Sequence, residues 1–161
     1  MILIVGGMMA AASPAVQQKQ AGWSVYENDR FGTRIAYPVG LFRDAQDSTN
    51  GDGITLTATD GARLLVFGAN NVDNASPRAY LGQMAAAESG RVTYRTSGAG
   101  FAVMSGSAGE RIFYQRYIFD DRAGVVHSYR LEYPRRLQGR YGPIIPRLSS
   151  SLSWRPARRG R

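Results

Sequence analysis

Cysteine is missing from all 161 residues. That excludes disulfides, thiolate catalysis, thiolate-bound zinc and iron–sulfur clusters. It leaves the compartment open, and it also excludes a lipobox anchor, which needs a cysteine. Histidine occurs once, at His127, so any histidine-based triad has to use it. Lysine occurs once, at Lys19, and nearly all positive charge is therefore arginine. The one long apolar run, at the N-terminus, falls short of the about 20 residues a transmembrane helix needs. There is no internal repeat, no Walker motif and no linker dividing two domains.

What remains is an ordinary globular composition, with 43% hydrophobic and 20% charged residues. The length suits one domain with a hydrophobic core that needs no metal or disulfide. The net charge of +8 is uneven. Residues 16–77 carry five basic and seven acidic side chains, whereas residues 78–161 carry fifteen and five. One reading is a basic face for an anionic partner. The other is a genome that encodes arginine wherever a surface cation is needed.

Residues 2–5, Ile-Leu-Ile-Val, open an apolar run that ends at Ala12. Ser13-Pro14-Ala15 supplies small residues before a polar stretch from Gln17. The pattern predicts a signal peptide over residues 1–15 and export to the periplasm. The basic n-region is missing, which places the start upstream or inside the signal. The competing reading is a buried strand or a fraying helix. A flexible segment is expected over residues 16–22, one domain over 23–154, and a disordered basic tail over 155–161.

Alternation predicts strands at 23–27 and 33–37, joined as a hairpin. Residues 43–53 read as a polar loop. Strands follow at 54–59 and 62–69, around the Asp60-Gly61 turn. Ser76-Pro77 starts a helix that Gly90 should cap. Four strands are expected within 91–97, 101–107, 111–119 and 125–133. Ile144, Ile145, Leu148 and Leu152 suggest one last helix over about 142–152. The fold class is α+β, with helices packed on an antiparallel sheet.

Chemical motifs are weak. Ser105 and Ser107 lie in Ser-Gly-Ser-Ala-Gly, which is not Gly-x-Ser-x-Gly. A hydrolase using Ser105 or Ser107 with His127 is one alternative; a strand histidine with satisfied hydrogen bonds is the plainer reading. Asp44, Asp47, Asn50 and Asp52 crowd a Gly-rich stretch that is either a solvated loop or a calcium site without EF-hand spacing. No metal or other cofactor is expected. Arg111, Arg116, Arg130, Arg135, Arg136, Arg140 and Arg147 form the candidate partner-binding basic surface. Tyrosines interleave with them, but strand alternation leaves neither face cleanly basic, and export argues against nucleic acid.

The opening Trp23-x-x-Tyr26-x-Asn28-x-x-Phe31-Gly32, then Ile35-x-Tyr37-Pro38 and Phe42, carries a resemblance. Asn50-Gly51-Asp52-Gly53, Asp60-Gly61, Phe67-Gly68-Ala69-Asn70-Asn71 and Tyr114 continue it. Together they resemble a group of small exported, uncharacterised proteins of Gram-negative bacteria. More distantly, they resemble the PsbP-like fold. The resemblance implies an α/β/α sandwich around a central antiparallel sheet with two main helices. It also implies an accessory or binding role on larger assemblies, and it carries no catalytic residue over. The expected function is that of a non-catalytic periplasmic binding or accessory protein of the cell envelope. The further alternative is an arginine-mediated binder of anionic lipid or cell-wall polymer. An envelope protein or anionic envelope component is the expected partner, and no transmembrane span should remain after signal cleavage.

Overall fold

Strand pairing, not helix packing, organises the chain. The computed structural model describes residues 22–156. The expected signal peptide, most of the segment after it, and residues 157–161 of the expected tail lie outside the described residues. No described helix is long and apolar enough to cross a membrane.

The first hairpin joins β1 (Trp23–Glu27) to β2 (Thr33–Pro38), with Tyr26 opposite Ile35. Then come β3 (Phe42–Asp47), β4 (Gly53–Ala58) and β5 (Arg63–Asn70). Helix α1 (Pro77–Ala87) precedes β6 (Arg91–Gly98), β7 (Phe101–Ala108), β8 (Arg111–Asp120) and β9 (Val125–Pro134). Short helical turns lead through α2 (Gln138–Tyr141) to α3 (Ile145–Ser151), and β10 (Ser153–Trp154) closes the order. Seven strands form one antiparallel sheet in the order β3-β4-β5-β9-β8-β7-β6. The other three form a small sheet, β1-β2-β10.

The large sheet separates two cores, because side chains alternate across it. On one face Leu56, Leu64, Val66, Tyr129, Leu131 and Tyr133 pack with Ile35 of β2 and Leu148 of α3. On the other, Met104, Phe113, Tyr117, Phe119 and Val126 pack with Leu81 of α1. This is the expected α+β sandwich, with one difference in its layers. The first face is covered by the small sheet together with α3, not by helix alone.

Three local expectations are corrected. Residues 42–47 form β3 instead of a loop. It is an edge strand with only Phe42 buried, so it carries no apolar alternation to read. The last helix is broken. Pro143 sits in a 3-10 turn over 142–144 and Pro146 in the first turn of α3, so neither removes a bond from a long helix. Gly90 does not cap α1. The helix ends at an extended Glu88, and Gly90 is needed because a Cβ there would lie 2.8 Å from the Ser107 carbonyl oxygen. Ser76 does cap the start, accepting from the Ala79 amide.

Candidate functional site

The opening motif builds one wall of a cleft. Asn28 folds the β1–β2 turn, with Oδ1 accepting from the Phe31 amide at 2.8 Å. Its Nδ2 donates to the Gly51 carbonyl at 2.9 Å, which ties the turn to the Asn50–Gly53 loop. Arg30 donates to the Asn50 carbonyl at 2.8 Å and lies over the Phe31 ring. Arg30 and Phe31 are thereby fixed on the rim.

A C-terminal strap builds the second wall. Trp154 pairs with Thr33 of β2, and the Arg155 amide donates to the Gly32 carbonyl at 3.0 Å. Two residues expected in a disordered tail, Arg155 and Pro156, therefore line the cleft. Gly32 makes the strap possible. Its φ is +73°, and a Cβ there would sit 1.9 Å from the Arg155 carbonyl oxygen. Gly32→Ala should lift the strap and cost about 1–2 kcal/mol. Faster hydrogen exchange at the Arg155 amide, with β5 and β9 amides unchanged, is the expected signature.

The β8–β9 turn forms the third wall, through Asp120, Arg122, Ala123 and Val125. Asp120 Oδ1 accepts from the Arg122 and Ala123 amides, which stiffens the turn. The enclosed volume is about 580 Å³, within the usual range for a ligand site. Three arginines, Arg30, Arg122 and Arg155, face one carboxylate, Asp120, beside the rings of Phe31 and Trp154. Among the described residues Arg122 has no ion pair, and Arg155 reaches only Glu27, at 3.8 Å. The arrangement suits an anion with an apolar, flat part.

His127 lies behind Trp154, stacked on it at 5.1 Å with 6° between the ring planes. Its Nδ1 shares a 2.8 Å hydrogen bond with Thr33 Oγ1, while the buried Nε2 has no partner. Burial pushes its pKa down to about 4, with Asp120 pulling the other way. The expectation of a satisfied strand histidine holds for one nitrogen only.

The serines lie elsewhere. His127 pairs with Ile118 and Ile118 with Phe101, whereas Ser105 and Ser107 lie four and six residues further along β7. At about 3.3 Å per residue and 4.8 Å per strand, Ser105 is roughly 16 Å from His127 and Ser107 further still. The structure does not assemble a triad from them.

The seven candidate arginines also part company. Arg111 donates to the Gly61 carbonyl and Arg140 pairs with Asp60 at 3.3 Å, so both gather at the β4–β5 turn. Exposed Arg135 and Arg136 follow β9 at the same end of the sheet. Arg116 and Arg130 lie on opposite faces: Arg116 covers Phe101, while Arg130 pairs with Glu88 and Glu132. Arg147, on α3, lies over Trp23. Arg111 and Asp120 end the same strand, so the β4–β5 end lies about 30 Å from the cleft. The calcium candidates lie along β3 and the turn that follows it. Asp44 and Asp47 belong to β3 and Asp52 accepts from Asn50. Among the described residues no group of three or more metal-ligating side chains clusters.

Sequence reading missed the cleft because its cations, Arg30, Arg122 and Arg155, come from three distant segments. Only Phe31, within the resemblance motif, was signalled.

No family model and no curated protein sequence matches this chain. Among solved structures it is similar to the solution structure of cyanobacterial PsbP (CyanoP) from Synechocystis sp. PCC 6803, with a TM-score of 0.61. The match covers 92% of this chain and 100% of that one at 12% identity. At that identity the likeness shows the fold: this chain has a PsbP-like α+β fold.

Proposed function

We propose that this protein is a non-catalytic accessory protein of the cell envelope, exported to the periplasm, that holds an anionic partner in the cleft between β1–β2, the β8–β9 turn and the C-terminal strap. The observation that carries this reading is the cleft lining, three arginines and two aromatic rings around about 580 Å³. Arginine can bind a carboxylate or phosphate through two hydrogen bonds at once, and aromatic faces hold the apolar part of the same ligand. The imidazole behind the cleft is committed to Thr33 and covered by Trp154, which favours binding over proton transfer. The PsbP-like fold supports an accessory role by analogy alone.

A photo-crosslinking residue placed at Ala123, which lines the cleft without contributing a charge, tests this in the producing bacterium. The expected result is a discrete adduct in the periplasmic fraction that a probe at Arg63, on the far end of β5, does not give. Arg30→Glu with Arg155→Glu should reduce that adduct by about tenfold. Equal adducts from both probes, or none from position 123, would overturn the reading.

A further inference from the structure

The other end of the large sheet offers a different surface. β6 is the last strand in the sheet order, so one side of its backbone carries unpaired N–H and C=O groups. Beside it α1 leaves a groove of two adjoining cavities, about 420 and about 290 Å³, which share Gly82 and Arg95. Small side chains on α1, Ala85 and Ala86 with Gly82, leave the space open, and a Cβ built at Gly82 meets nothing within 4 Å. Val92 and Leu81 give the groove an apolar floor.

The charged side chains of the groove are both arginines. Arg78 and Arg95 line it and are exposed, and among the described residues neither has an ion pair. No acidic side chain lines either cavity. Glu88, at the end of α1, is held by Arg130 at 2.6 Å. A second copy of this chain does not fit the edge. Antiparallel pairing of two β6 strands would place Arg78 and Arg95 of both copies on the same side of the joined sheet, like charge beside like charge.

We infer that the α1–β6 groove takes an extended acidic segment of a partner protein, which pairs with β6 as an eighth strand of the large sheet. The backbone groups of β6 hold the segment, and alternate carboxylates reach Arg78 and Arg95 on the helix side. Opposite charge sets the choice of partner. This surface is independent of the cleft and would stand if the cleft bound nothing.

The test measures fluorescence anisotropy of a labelled octapeptide alternating glutamate and valine, against its lysine–valine counterpart, on the intact protein. The glutamate peptide should bind and weaken with salt, and the lysine peptide should not. Gly82→Trp fills the groove and removes a helix glycine, so it should fold as the parent and bind about tenfold more weakly. Gly82→Ala should bind like the parent. Arg78→Glu with Arg95→Glu should lose binding of the glutamate peptide without filling the groove. Slowed hydrogen exchange at β6 amides on binding distinguishes strand addition from loose ion pairing. Equal or absent binding of the two peptides, unchanged binding by Gly82→Trp, or no protection of β6 would overturn the inference.

Discussion

Arg130→Met lowers the unfolding free energy by about 3 kcal/mol, within the usual cost of breaking a buried ion pair from one side. Arg130 Nη1 donates to Glu88 Oε2 at 2.6 Å and to Gln115 Oε1 at 3.1 Å, while Nε donates to Glu132 Oε1 at 2.7 Å. Its guanidinium lies 4.3 Å above the Phe113 ring. The Glu88 side chain is only 9% exposed, so removing the cation strands a carboxylate that water barely reaches. For a domain of this length the loss should appear as a fall in Tm of about 10 °C. Adding Glu88→Gln to Arg130→Met should recover part of it, because the stranded charge goes with the substitution. A double-mutant cycle by urea denaturation checks this, and independent additive losses would contradict it. Acid should act through the same pair. Burial pushes the Glu88 carboxyl up, but the Arg130 hydrogen bond and the Gly90 amide outweigh that and hold it below the ordinary range. The pair's contribution is therefore full above the ordinary carboxyl range and is lost as pH falls through the lowered value.

His127 predicts a second pH dependence, in a different window. The side chain is 1% exposed and its pKa is depressed from 6.5 to about 4. Between those values the unfolded chain binds a proton that the folded chain refuses. Stability is therefore full above about pH 6.5 and falls on acidification, by about 3 kcal/mol between pH 7.5 and pH 4. His127→Gln removes the titrating group. Its urea-derived stability at neutral pH should drop through the lost Trp154 stacking, while this part of the acid loss disappears. The difference between the two pH profiles isolates the histidine, because the carboxylates contribute alike to both. Parallel profiles for parent and variant would show that His127 titrates normally.

The legible parts of the fold were those where one side of an element is buried. β2, β4, β8 and β9 alternate because each faces a core, and their bounds agree with the pattern to within a residue or two. β3 was illegible because both its sides face solvent beyond Phe42. The hydrophobic stripe of the last helix was read correctly, since Leu148 and Leu152 are buried, but two prolines divide its backbone into short turns. β10 gives no local signal, since two residues are too few for any period. The cleft shares that limit. Arg30, Arg122 and Trp154 become neighbours only through pairings between distant strands, and no spacing in the chain records them. Charge alone drew attention to the arginine-rich second half, where Arg130 turns out to be occupied inside the molecule.

The small sheet joins the two ends of the described chain: β10 completes what β1 and β2 begin, and Trp154 meets Thr33 across roughly 120 residues of sequence, a separation of the kind that makes folding slow. During synthesis, at about 5–20 residues per second, β1 and β2 exist for seconds before their third strand emerges. Until then the edge of β2 is open and His127 lacks its tryptophan cover. The cleft is consequently among the last features to form, and a chain that stops short of Trp154 lacks the strap that makes one of its walls.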